Sequence, residues 1–284
     1  MNDREKAVTH PSPLLVLNDV RTYYSSKNGL LNRNKTEIKA VDGISIELYA
    51  GETLGLVGES GSGKSTLGRT IVGLEPLTGG SLFYNGKPLD YSKNRTTLSR
   101  EIQIVFQDPY SSLNPRHTVR DILAEPLLVH HIVAKREVEH EIDRLLELVG
   151  LPKTSKERYP HEFSGGQRQR ISIARALAMR PRLIVCDEPV SALDVSIQAQ
   201  VMNLFKELQR ELGLTYLFIA HGLGAVKYIS DRIAVMYKGK IVEIGSTQQI
   251  FRQPQHPYTK ALLDAYPIPN PKKRLERTME HSSI

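Results

Sequence analysis

The chain has no tryptophan and a single cysteine, and only 6% of its residues are aromatic. One cysteine excludes an internal disulfide, and Cys186 sits in an apolar run where it reads as a small buried hydrophobe. Long hydrophobic runs are missing as well. Leu183 to Cys186 and Tyr216 to Ala220 fall far short of the roughly 18 residues needed to cross a bilayer, so no part of the chain is expected to span a membrane. The opening MNDREKAVTHPSP has no apolar stretch of the kind a secretory signal needs, which predicts that the chain stays in the cytoplasm. Nor is there a concentrated basic block: the formal net charge is +7, but Lys and Arg are scattered, so charge alone does not ask for nucleic acid. The densest cluster, Lys272, Lys273 and Arg274, lies in a proline-bounded tail and reads as solvated. What remains is ordinary globular composition, 40% apolar and 24% charged over 284 residues, enough for one large domain or two modest ones.

Along the chain, Leu14 to Val20 predicts a short strand, and residues 38 to 57 predict further β-structure turning at Gly51-Glu52. The polar insert SSKNGLLNRNKTE, residues 25 to 37, reads as a surface loop on which Leu30 and Leu31 could dock. A helix is expected from Lys64 to about Gly73, then a hairpin over 81 to 87 with Asn85-Gly86 at its tip. Ile102 to Phe106 predicts a strand. Between 118 and 150 the apolar residues Val119, Ile122, Leu123, Val138, Ile142, Leu145, Leu146 and Val149 keep helical spacing, with Gly150 as a stop. Next come a helix over 166 to 180, a strand over 183 to 187, a helix over 196 to 212 and a strand over 214 to 220. Strands over 232 to 237 and 240 to 244 flank a Lys238-Gly239 turn. Strands alternating with helices predict a parallel sheet covered on both faces.

Chemistry concentrates first in Gly58-Glu59-Ser60-Gly61-Ser62-Gly63-Lys64-Ser65-Thr66, which satisfies G-x-x-x-x-G-K-[ST] between the apolar strand TLGLV and a helix. Glycines there let backbone N–H groups turn toward phosphate oxygens, and the helix start adds partial positive charge. Lys64 reaches the terminal phosphates, and Ser65 can ligate Mg²⁺. Far downstream, Arg182 to Glu188 is an apolar strand ending in two acids, which would face the phosphate loop from the strand's carboxyl end. Asp187 is expected to hold Mg²⁺ directly or through water, and Glu188 to act as general base toward the attacking water.

A third motif, Phe163-Ser164-Gly165-Gly166-Gln167-Arg168-Gln169-Arg170, opens the helix ISIARALAM ahead of that strand. Ser164 and the N–H groups of Gly165 and Gly166 make a second anion-binding helix start. With it the chain resembles the ABC ATPases, because the remaining elements follow in order: Gln107 as the Q-loop, Ser191 to Asp194 as the D-loop, and His221 as the switch histidine after the strand TYLFIA. The resemblance implies an α/β fold of the P-loop NTPase ABC ATPase type. Its parts would be a RecA-like core, an antiparallel β subdomain and a helical subdomain at about 108 to 180, all within residues 14 to 252. A disordered lead, 1 to 13, would precede it and a C-terminal extension, 253 to 284, would follow. It also implies ATP and Mg²⁺ as ligands, Gln107 at the metal beside Ser65 and Asp187, and an aromatic ring on the adenine, with Tyr24 favoured over Tyr23. In this family Ser164, Gly165, Gly166, Gln167 and Asp194 serve the nucleotide of a second subunit, so two ATP molecules are sandwiched head to tail. His221 contacts the γ-phosphate and helps align Glu188. Gly222 departs from the acid usual after that histidine, at the cost of a weaker helix cap.

Gln107-Asp-Pro-Tyr-Ser-Ser-Leu-Asn-Pro115 and His256-Pro-Tyr-Thr-Lys-Ala-Leu-Leu263 resemble the dipeptide/oligopeptide permease branch of ABC importers, which also holds nickel and oligosaccharide systems. The long insert leans toward the F-type partner of the two ATPases in such systems. With one cysteine, the chain cannot supply the four thiolates of the iron–sulfur site that some relatives carry. The implied partners are a second ATPase, like or unlike, two membrane-spanning permeases and, indirectly, an extracytoplasmic solute-binding protein, with the chain peripheral on the cytoplasmic face of the membrane. No nucleic acid is expected. Two competing readings are an ABC ATPase acting on nucleic acid or ribosomes, and a nucleotide-binding module that does not turn over. The first lacks the second cassette or long coiled coil usual there; the second is opposed by Glu188 and His221.

Overall fold

The computed structural model describes residues 12–26 and 36–265. Most of the expected insert, including Leu30 and Leu31, lies outside the described residues, as do most of the lead and the basic cluster at 272–274.

Two sheets form among the described residues. Strands β1 (Pro13–Ser26) and β2 (Thr36–Tyr49) pair along their length with β4 (Gly79–Tyr84) and the short β5 (Lys87–Pro88) in an antiparallel sheet of order β2-β1-β4-β5. The expected strand at 14 to 20 is therefore much longer. Its pairing continues through Tyr24 opposite Ile38, because the ladder itself supplies partners for polar residues such as Thr22 and Lys39 that lack a strand's apolar pattern. At the tip between β4 and β5, Asn85 and Gly86 both take positive φ, 49° and 73°, as the favoured two-residue hairpin requires.

The second sheet has the order β10-β9-β3-β8-β7-β6, built from β3 (Thr53–Val57), β6 (Ile102–Val105), β7 (Leu183–Asp187), β8 (Thr215–Ile219), β9 (Arg232–Tyr237) and β10 (Lys240–Ser246). Five strands are parallel, but β10 runs antiparallel to β9 across the Lys238-Gly239 turn. The expectation of a parallel sheet is corrected to a mixed one: a two-residue turn can only return the chain antiparallel. Alternate residues along each central strand feed opposite cores. Ile184, Cys186, Tyr216, Phe218, Ile233 and Val235 face one core. Leu183, Val185, Leu217, Ile219, Ala234 and Met236 face the other, shared with the antiparallel sheet. Both faces are covered, which explains strands that read as continuous apolar runs.

Helix α1 (Lys64–Ile71) follows β3 directly. A polar helix α2 (Tyr91–Glu101), which no apolar spacing predicts, precedes β6, and the short α3 (Pro109–Ser112) follows it. The helical region expected at 118 to 150 is two helices, α4 (Val119–Val129) and α5 (Val138–Leu148). The eight apolar residues named for it are buried in one core, none more than 5% exposed. Then come α6 (Gly165–Leu177), α7 (Val195–Leu212), α8 (Leu223–Ile229), α9 (Thr247–Arg252) and α10 (Pro257–Asp264). No described helix is long and apolar enough to cross a membrane.

Phe205 of α7 is fully buried, edge-on to Tyr216 at 5.5 Å and to Phe218 at 5.9 Å. Truncation there leaves a cavity between α7 and β8. Phe205→Ala should lose about 3–5 kcal/mol of stability in chemical denaturation; a loss below about 1 kcal/mol would show that this contact does not anchor the helix layer.

Candidate functional site

The parallel strands β3, β8, β7 and β6 all end on one edge of the sheet, where α/β proteins place their ligand sites. Residues 58 to 63 turn from β3 into α1 at that edge. Gly63 sits at φ 103°, and a Cβ there would come within 1.9 Å of the Ala40 carbonyl oxygen; only glycine fits the approach of this loop to β2. Gly239 N–H donates to Ser62 O at 3.0 Å, so the β9–β10 turn holds the loop from the other side.

Lys64 is 3% exposed. Its ammonium donates to the carbonyl oxygens of Gly58 and Glu59, both at 2.8 Å, and to Ser62 Oγ at 3.3 Å. Burial lowers its pKa, against the opposing pull of Glu188, Asp187 and Glu59. A buried cation held by uncharged oxygens is a site that an anion completes.

Ser65 Oγ donates to Asp187 Oδ1 at 2.7 Å, and Arg69 Nε stands 4.0 Å from Asp187 Oδ2. Among the described residues no group of three or more His, Cys, Asp and Glu gathers around a metal-sized space. The Ser65–Asp187 oxygen pair nevertheless fits a hard divalent cation that takes its other ligands from phosphate and water.

Glu188 follows β7 at φ 51°. In a regular strand Asp187 and Glu188 would point to opposite faces. The left-handed conformation at Glu188 breaks that alternation, so one acid meets Ser65 and the other lines the cleft. Such a backbone costs on the order of 1–3 kcal/mol for a non-glycine residue. It is held by Glu188 N–H donating to Ile219 O at 2.9 Å, and by the N–H and hydroxyl of Ser191 both donating to Glu188 O. The carboxylate is 5% exposed, and Oε1 lies 2.6 Å from His221 Nε2.

Together these residues border a cleft of about 480 Å³ lined by Ser60, Gly61, Gly63, Lys64, Ser65, Thr66, Gln107, Glu188 and His221. Its remaining wall, Ile38 to Ala40 with Lys238 and Gly239, was not assigned to the site from sequence. Lys238-Gly239 is visible there as a turn, but nothing local places it against the phosphate loop. Tyr24 pairs opposite Ile38 in the β1–β2 ladder and is 37% exposed. Burial raises its pKa, a hydrogen bond with Thr66 lowers it and one with Glu75 raises it. Tyr23 donates to Asp42 and lies under Lys39, and it is less exposed than Tyr24.

Ser164, Gly165, Gly166, Gln167 and Asp194 do not line this cleft. Ser164 caps α6, accepting from Gln167 N–H at 3.3 Å while Gln167 Oε1 accepts from Ser164 N–H at 3.0 Å. Gly166 is packed so closely on α7 that a Cβ would meet Ile197 Cγ2 at 2.3 Å. Asp194 occupies the N-cap position of α7 without a side-chain capping hydrogen bond. Ser164 and Asp194 are exposed and Gly165 and Gln167 half-buried, while Gly166 is buried beneath them.

The profile of the ABC transporter family matches residues 41–191, and that of the oligopeptide/dipeptide transporter C-terminal region matches 242–283. The chain is 59% identical over 82% of its length to the oligopeptide transport ATP-binding protein OppF of Bacillus subtilis, covering 78% of that protein. It is 51% identical over 93% of its length to OppF of Lactococcus lactis, covering 84% of that protein. Among solved structures it is similar to cbiO1 from Clostridium perfringens, part of the ABC transporter complex cbiONQ, with TM-score 0.75, 27% identity and coverage of 94% and 99% of the two chains. It is also similar to the dimeric ATP-binding cassette MJ0796 in a post-hydrolysis state bound to ADP and phosphate, with TM-score 0.71, 27% identity and coverage of 82% and 98%.

Because burial opposes the Lys64 charge, replacing it should not weaken the empty fold. Lys64→Met is expected to melt no lower than the parent chain, while the rise in melting temperature on adding ATP disappears. An unchanged ATP-induced rise, followed by scanning fluorimetry, would contradict the role of Lys64.

Proposed function

The chain belongs to the ABC transporter ATPases, and from that premise we propose that it powers an importer of oligopeptides, its nucleotide site completed by a second ATPase subunit. The observation that carries the catalytic reading is Glu188, held in a strained turn, buried, and 2.6 Å from His221 at the mouth of the phosphate-loop cleft.

Lys64 and the loop N–H groups hold the β- and γ-phosphates of ATP, and Tyr24 offers its ring to the adenine. Mg²⁺, when bound, neutralises charge on the phosphate oxygens, with Ser65, Asp187 and Gln107 as the residues that would hold it. Glu188 accepts a proton from the water that attacks the γ-phosphorus. The new oxygen–phosphorus bond forms as the bond to the β-phosphate oxygen breaks, giving ADP and phosphate. His221 holds the Glu188 carboxylate in line and faces the γ-phosphate. Ser164, Gly165, Gly166 and Gln167, with Asp194, close over the γ-phosphate held by the partner ATPase, so hydrolysis belongs to the dimer.

Gln107 connects the site to the helical subdomain, about 108 to 180, against which a permease would dock on the cytoplasmic face of the membrane; two permeases and an external solute-binding protein complete the assembly. Oligopeptide cargo is supported by relatives that carry that name and by the matching C-terminal region.

Glu188→Gln should bind ATP normally and hydrolyse it at least about 10²-fold more slowly in the assembled transporter. Cells carrying only that variant should lose uptake of a labelled oligopeptide. Unchanged turnover removes Glu188 from the chemistry; normal uptake with abolished turnover removes the link to transport.

A further inference from the structure

Helix α10 lies in the matched C-terminal region and reaches back to the nucleotide site. Its Tyr258 hydroxyl accepts a 2.9 Å hydrogen bond from the backbone N–H of Glu59, 199 residues away in sequence. Glu59 is the second residue of the phosphate loop, and its carbonyl oxygen is one of those that accept from Lys64, at 2.8 Å. One residue is thus held on its amide side by α10 and on its carbonyl side by the lysine that meets the phosphates.

The helix itself is firmly seated. The Glu243 carboxylate of β10 accepts the N–H groups of Gln255 and His256 at 2.8 and 3.0 Å, and His256 Nδ1 accepts from Tyr258 N–H at 3.2 Å. The Tyr258 ring lies 4.2 Å from that of Tyr237, tilted by 33°. Tyr237 ends β9 immediately before the turn whose Gly239 N–H holds Ser62. The two tyrosine rings in contact therefore link two fastenings of the same loop, at Glu59 and at Ser62. Burial is the largest influence on the Tyr258 phenol and raises its pKa.

We propose that Tyr258 is a positioning residue through which the C-terminal region sets the shape, and hence the nucleotide affinity, of the phosphate loop. The inference rests on the phosphate-loop reading of residues 58 to 66. It follows from the geometry that Tyr258 acts on binding rather than on the chemical step, because Glu188 and His221 are held by other partners, Ile219, Ser191 and each other. The Glu59 N–H is exposed enough for water to replace the phenol, so losing the hydroxyl should relax the loop without unfolding it.

Tyr258→Phe keeps the ring on Tyr237 and removes only the acceptor. In the assembled transporter it should raise KM for ATP about three- to tenfold, the worth of one net hydrogen bond, with kcat within about twofold of the parent and the apo melting temperature unchanged. Affinity for ADP, measured by calorimetry, should fall by a similar factor, while Lys260→Ala on the exposed side of the same helix should change neither. A KM shift below about twofold, or parallel losses of kcat, KM and melting temperature, would overturn the proposal. Normal ATP affinity in Lys64→Met would instead sink the phosphate-loop reading beneath it, so the two failures are told apart.

Discussion

The hydrogen bond from Ser65 Oγ to Asp187 Oδ1, at 2.7 Å, joins the two halves of the candidate site. Its donor opens α1 after β3 and its acceptor ends β7, two strands separated by β8. For those oxygens to meet, the intervening strands must be parallel, in register and buried on both faces, so that their carboxyl ends form one edge. The two apolar cores serve that requirement. The antiparallel sheet covers one face and brings Ala40 against Gly63; the helix layer covers the other and carries α6 and α7.

At that edge the chain keeps charge and backbone in states that are unfavourable without a ligand. Lys64 is desolvated among neutral oxygens, and Glu188 is buried in a left-handed turn. Both costs are met by the surrounding fold, and both become useful when a polyanion and a nucleophilic water occupy the cleft. Ser164, at the start of α6, stands off that cleft, its side-chain oxygen accepting from Gln167 N–H. In the proposed function that helix start meets the cleft of a second subunit in a head-to-tail pair.

Much of the fold and the site is legible in the amino-acid order alone, because the informative residues are local. The phosphate loop needs glycines and a lysine at fixed spacing; Asn85-Gly86 needs two positive φ values; the acids follow an apolar run. Features that local pattern does not reveal depend on distant partners. Helix α2 carries Leu98 as its one buried residue and has non-helical geometry at Asn94, so it shows little apolar periodicity. Strands β1 and β2 outrun their apolar pattern because each completes the other's ladder. The antiparallel β10 is hidden by the general rhythm of strand and helix, although the turn before it is visible. Tyr258 is the extreme case: its motif marks a family resemblance, but only the folded chain reveals that its hydroxyl touches Glu59.

The most direct test of the central claim is a structure of the assembled transporter with ATP trapped in place. The account predicts the γ-phosphate on Lys64 of this chain facing the helix start of the partner ATPase, and Ser164 of this chain facing the γ-phosphate held by that partner. ATP enclosed wholly by one subunit, with Ser164 turned to solvent or to a permease, would contradict it.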